Sequence, residues 1–153
     1  MKVEIDSKPA LRVAALTHVG PYSMIGQTFA RLGAIVGPAG LSAQPGAQMI
    51  AIYHDDPESK PAAELRSEAG IVVPAGAPLP PELHEVELPA GRYARTTHVG
   101  PYDKLGDTWA QLMGSWLPAS GERVGSGIAY EAYRKMDHAR PVELETDLYV
   151  SIA

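Results

Sequence analysis

The chain has 153 residues, 13 Lys and Arg against 18 Asp and Glu, a net charge of −5 and no cysteine. That length suits one ordinary core, the missing cysteines exclude a disulfide framework and thiolate chemistry, and the lack of a basic cluster argues against direct nucleic-acid binding. No stretch reaches the roughly 20 apolar residues of a membrane-spanning helix, and the opening Met-Lys-Val-Glu-Ile-Asp lacks the apolar run of a secretory signal, so a soluble cytoplasmic protein with no membrane contact is expected.

In chain order, Lys2 to Asp6 and Leu11 to His18 read as strands broken near Ser7-Lys8-Pro9. Gly20-Pro21 then punctuates, and proline suits a first helical turn because its missing N–H would have no intrahelical partner there. Ile25, Phe29, Leu32 and Val36 come next at helical spacing, and Pro38 and Gly40 end the helix. Gln48 to His54 and Leu65 to Val73 read as strands joined by the polar, proline-containing segment from Asp55 to Pro61. Pro74-Ala75-Gly76-Ala77-Pro78-Leu79-Pro80-Pro81 reads as a stiff linker.

The plan then recurs. Glu85 to Leu88 and Tyr93 to His98 are strands, and Leu105, Trp109, Leu112, Met113 and Trp116 form a helical face that Pro118 is expected to stop. Gly127 to Arg134 and Leu144 to Ile152 are strands. The recurrence is literal: Thr-His-Val-Gly-Pro-Tyr occurs at Thr17 to Tyr22 and again at Thr97 to Tyr102, and at the same offset Phe29 falls on Trp109 and Tyr53 on Tyr133. The sequence therefore predicts an α+β fold, a duplicated β-α-β-β module with repeats at 1–75 and 82–153 in a single domain. Two copies of one unit pack about a pseudo-twofold, and their seam is the expected ligand cleft.

Alternation sorts the strand faces. Leu144, Thr146, Leu148, Val150 and Ile152 point one way, toward the helix; Glu145, Asp147, Tyr149 and Ser151 point the other, a tyrosine-and-carboxylate side that differs from a core. Glu131 is the leading site candidate, a carboxylate between Ala129 and Tyr133 on a central strand. In a concave site it would favour a cation, with aromatics adding cation–π attraction; at an edge it would simply face water. Tyr53 and Tyr133 either wall the cleft or cap the core with hydroxyls in solvent. Tyr149 and Asp147 are expected to extend the same wall, with a plain surface charge the alternative for Asp147. Trp109 and Phe29 fit the helix core stripe and can still present a ring edge to ligand. His18 and His98 carry no metal-ligand spacing and are read as fixing the strand-to-helix turn through a backbone hydrogen bond. No metal or cofactor is expected, since no nucleotide-binding glycine motif and no hydrolase triad is present.

These motifs resemble the gyrase-inhibitor-like (GyrI-like) small-molecule-binding family. The matching segments are the duplicated His-Val-Gly-Pro-Tyr with its amphipathic helix, Ile52-Tyr53-His54-Asp55-Asp56-Pro57, Glu64 to Glu68, Val72-Val73-Pro74, Tyr130-Glu131-Ala132-Tyr133 and Leu148 to Ile152. The resemblance implies two modules about a pseudo-twofold with a ligand cleft, and a glutamate, here Glu131, that meets cationic, aromatic-rich compounds. It implies kinship with effector-binding parts of multidrug-responsive transcription activators. With no helix-turn-helix segment, this chain is expected to act as a standalone binder of small hydrophobic or cationic ligands. The resemblance implies two further readings: a hydrolase opening strained cyclopropane rings, with Glu131 as general base and Tyr53 or Tyr133 orienting the substrate, and a protein-interaction role such as gyrase inhibition through an unidentified partner surface.

Overall fold

The computed structural model describes residues 1–136 and 139–153. Strands β1 (Glu4–Lys8) and β2 (Leu11–Val19) precede helix α1 (Ile25–Val36), then β3 (Met49–Tyr53) and β4 (Arg66–Val73). The second half repeats the order with β5 (His84–Leu88), β6 (Gly91–Val99), α2 (Leu105–Gln111), β7 (Val124–Lys135) and β8 (Glu145–Ile152). Neighbouring strands within each half of the molecule run antiparallel, and the expected α+β class with a duplicated β-α-β-β plan is what the chain adopts.

Two compact units emerge, Pro9–Ala90 and Met1–Lys8 with Gly91–Ala153. In the first, β3, β4, β2 and β5 lie side by side; in the second, β1, β6, β8 and β7 do. The sequence repeat and the compact unit thus differ by one strand. β5 pairs with β2, Val13 opposite Val86, and β1 pairs with β6, Asp6 opposite Tyr93. The proline-rich segment before β5 is held rather than slack: the Arg12 guanidinium donates to the carbonyls of Pro74 and Ala77, at 3.1 and 2.7 Å.

Each helix begins after Gly-Pro through a tight turn, Tyr22–Met24 or Tyr102–Lys104. Gly20 and Gly100, at φ 134° and 128°, take the backbone through a region closed to side chains. In α1 the buried stripe is Ile25, Thr28, Leu32 and Val36, with Thr28 replacing the expected Phe29, which is half-buried. The second helix departs further from expectation. A π turn, Leu112–Trp116, interrupts it, and a last turn, Leu117–Ser120, carries it past Pro118 to Gly121 at φ 79°. The wider turn delays the phase, so Met113 faces solvent while Trp116 and Leu117 pack on the core. Pro118 falls in the first turn of the new segment, where no amide donor is required.

Strand register decides which side chains share a face. In β8 and β7, Val150 lies opposite Ala129, Leu148 opposite Glu131 and Thr146 opposite Tyr133. Directly opposed residues point the same way, so Glu131 and Tyr133 lie on the helix side with Leu148 and Val150, whose core includes Ala94, Leu105 and Leu112. Tyr130, opposite Tyr149, and Ala132, opposite Asp147, are on the other side. That side is not an open surface. Tyr130 and Tyr149 stack at 4.6 Å and 12°, Tyr93 meets both edge-on, and all three are buried.

The helices stand at different heights above their sheets. The backbone of α1 comes close to β2 and β4, an approach α2 does not match over β6 and β8. Side-chain size explains this. Ala51, Ala69 and Ser67 lie under α1 where Glu131, Leu148 and Thr146 lie under α2, and Phe29 stands where Trp109 stands.

Ser67 and Thr146 occupy equivalent positions and are fully buried, and neither hydroxyl has a hydrogen-bond partner among the described residues. A buried orphan hydroxyl costs about 1–3 kcal/mol. Ser67→Ala and Thr146→Val should therefore each raise the melting temperature, by about 2–4 °C for a gain near 1 kcal/mol; calorimetry of the two variants checks this.

Candidate functional site

A carboxylate with 3% of its surface exposed stands at the centre of the second unit. Glu131 reaches this position because β7 presents it on the helix side, beneath α2. Its charge is met at both oxygens: the Trp109 indole Nε1–H donates to Oε1 at 2.8 Å and the Tyr133 hydroxyl donates to Oε2 at 3.0 Å. An indole N–H can only donate, so Oε1 accepts. Tyr102 completes the group, its ring 5.5 Å from that of Tyr133. Burial first, and then the negative charge of Glu131, push the Tyr102 phenol above its ordinary value. Trp109, Tyr133 and Tyr102 are half-buried, so a buried anion lies behind an aromatic screen that reaches solvent.

Of the residues singled out in the sequence, Glu131, Tyr133 and Trp109 are together. Tyr149 and Asp147 are not with them. The cross-strand register turns both to the opposite face, which corrects the expectation that they extend one wall. There Asp147 is buried and bonded to the Thr97 hydroxyl at 2.6 Å and Arg134 Nε at 2.9 Å, so it is no surface charge. Tyr149 lies in the tyrosine stack with the Lys8 ammonium 4.5 Å from its ring centre. Tyr53 and Phe29 belong to the first unit, at the positions of Tyr133 and Trp109. Tyr53 packs on Tyr22 at 4.7 Å, and Ala51 stands where Glu131 would be. His18 and His98 anchor the turns as expected: each Nε2 donates to a proline carbonyl, Pro21 at 3.0 Å and Pro101 at 2.9 Å.

Tyr102, whose repeat mate Tyr22 holds its turn by hydrogen bonds to the backbone of Asp55, packs beside Tyr133. One feature went unread in the sequence, Glu68, the first unit's counterpart of Asp147. Glu68 is buried, accepts from Thr17, and lies 3.4 Å from His54 Nε2 and 3.0 Å from His84 Nε2. Where Asp147 pairs with a permanently charged arginine, Glu68 has two imidazoles. Among the described residues no cluster of His, Cys, Asp or Glu is arranged to hold a metal. A groove of about 440 Å³ in the second unit, lined by Met1, Lys2, Arg95, His98, Thr108 and Gln111 among others, does not include Glu131 and has no Phe, Tyr or Trp in its walls. No helix is long and apolar enough to cross a membrane among the described residues.

Fold and site together define a small-molecule-binding α+β domain built on a repeat. The chain belongs to the GyrI-like family, whose model, described as the GyrI-like small molecule binding domain, matches residues 1–153. It is 31% identical over 157 residues to a protein named DNA gyrase inhibitor from Yersinia enterocolitica, covering 99% of this chain and 98% of that one. It is 29% identical to the probable transcriptional regulator YgiV of Escherichia coli K12, over 100% and 97% of the two chains. Among solved structures it is similar to SAV2435 bound to tetraphenylphosphonium, with a TM-score of 0.75 and 12% identity over 100% of this chain and 94% of that one.

Burial pushes the Glu68 carboxyl up, but the His54 hydrogen bond, the His84 charge and the Thr17 hydroxyl outweigh it and hold it below its ordinary value. A carboxyl lowered by folding stabilises above its unfolded value and loses that contribution as pH falls through the folded one. The urea midpoint of the protein should therefore drop on acidification below about pH 4.5, and Glu68→Gln should flatten this drop while lowering the midpoint at pH 7.

Proposed function

We propose that this domain binds amphipathic aromatic cations at the Glu131 site. The observation that carries the reading is the buried carboxylate held by Trp109 and Tyr133. Burying a charge is costly unless it is paired and hydrogen-bonded. Two donors make the burial tolerable, and a cation arriving over the aromatic screen would add direct charge attraction. At a separation of 5–6 Å and an effective dielectric near 20 that is about 3 kcal/mol. The screen contributes as well. An indole or phenol that donates to a carboxylate gains electron density in its ring, and an electron-rich face attracts cations, for about 0.5–2 kcal/mol per ring. The greater height of α2 above its sheet supports the same reading, because it leaves the bulky, polar pair of Trp109 and Glu131 between helix and sheet.

The tetraphenylphosphonium complex of SAV2435 is a likeness of fold with a ligand of this class. Catalysis by the same residues is a poorer fit. A hydrolase would need Glu131 as general base with a tyrosine orienting the substrate, whereas the Tyr133 hydroxyl proton is engaged on Glu131 itself. The named gyrase inhibitor among the relatives supplies a second reading, an inhibitory contact with DNA gyrase. A supercoiling assay separates the two: inhibition at micromolar protein supports the second, and uninhibited gyrase removes it.

Calorimetric titration should give saturable binding of tetraphenylphosphonium. Glu131→Gln should weaken it by about 10- to 100-fold, the equivalent of 1.4–2.8 kcal/mol, and change the affinity for neutral triphenylphosphine oxide less than about threefold. Equal losses for both ligands would contradict a charge-based site.

A further inference from the structure

The hexapeptide histidine ties strand to helix in both units by the same two bonds. Besides the proline carbonyl, His18 Nδ1 meets the Thr28 hydroxyl at 3.0 Å and His98 Nδ1 meets the Thr108 hydroxyl at 2.7 Å. A carbonyl only accepts, so Nε2 carries the hydrogen, and in the neutral ring Nδ1 accepts from the threonine. The tether therefore sets the angular position of each helix at the threonine, one full turn inside the helix.

The residue after the threonine distinguishes the two units. After Thr28 comes Phe29, which has no polar atom to place. After Thr108 comes Trp109, whose Nε1–H must meet Glu131 Oε1 at 2.8 Å. The supports differ too. α1 runs 12 residues and lies close on β2 and β4. α2 has 7 residues before its π turn and stands higher. A hydrogen bond tolerates only a few tenths of an ångström before it weakens, so the angular position of α2 at Thr108 bears directly on the Trp109 bond.

We propose that His98 and Thr108 are positioning residues for the cation site, setting the Trp109 indole on Glu131, while the identical pair His18 and Thr28 serves its own turn and nothing further. This rests on the reading of Glu131 as the cation-binding group.

The test uses three hydroxyl variants in a Trp116→Phe background, where emission reports Trp109 alone. Thr108→Val and Thr28→Val delete the same bond without changing side-chain shape, and Thr108→Ser keeps it. Both valine variants should lower stability to a similar extent. Thr108→Val should shift Trp109 emission and weaken tetraphenylphosphonium binding by about threefold to tenfold, the equivalent of one hydrogen bond. Thr108→Ser should restore both, and Thr28→Val should leave both as they were. Equal effects of the two valine variants on emission and affinity would overturn the proposal, as would an unmoved emission in Thr108→Val. The emission arm does not depend on ligand. Failure of the cation reading is seen separately, as undiminished phosphonium binding by Glu131→Gln.

Discussion

A charge removed from water has to be answered by the protein, and in this molecule the demand falls on Glu131. Its carboxylate sits at 3% exposure beneath a helix, between an indole N–H and a phenol O–H. Much of the second unit is arranged around that requirement. Trp109 must stand one turn into α2, Tyr133 must lie two residues along β7, and the helix must sit high enough to admit both. Asp147 on the opposite face is answered differently, by the Arg134 guanidinium at 2.9 Å.

Duplication allows the requirement to be seen against a control built into the same chain. The first unit has the same turns, the same histidine tether and the same pair of tyrosines. Ala51 replaces Glu131, Phe29 replaces Trp109, and α1 settles close on its sheet. One repeated arrangement thus carries an alanine and a phenylalanine in one unit and a buried carboxylate with an indole donor in the other. The reverse face diverged as well. The equivalents of the stacked Tyr130 and Tyr149 are Ile50 and Gly70, and a side chain at Gly70 would run into Val13.

The repeat made the fold legible. An offset of eighty residues, read through the hexapeptide and through Phe29 and Trp109, predicts both β-α-β-β modules. Glu131 was legible too, as a carboxylate flanked by tyrosines on a strand. What sequence did not supply was register. Alternation states that Asp147 and Tyr149 share a side and that Glu131 and Tyr133 share a side. Whether the two sides coincide depends on the pairing of Glu131 with Leu148, which alternation alone does not give. The π turn was hidden for a similar reason, since its extra residue changes the helical phase after Leu112, exposing Met113 and admitting Pro118. Glu68 lies sixteen positions from His84, and their meeting requires β5 to pair with β2 across the proline-rich segment.

On the proposed reading the Glu131 carboxylate, held by the Trp109 indole, is what a cation senses. The indole N–H resonance of Trp109 in ¹⁵N-labelled protein reads that bond directly. That signal should be displaced downfield in the native protein, moved to an ordinary position in Glu131→Gln, and shifted saturably by tetraphenylphosphonium but not by triphenylphosphine oxide. A resonance indifferent to Glu131→Gln, or one that answers the neutral compound as strongly as the cation, would contradict it.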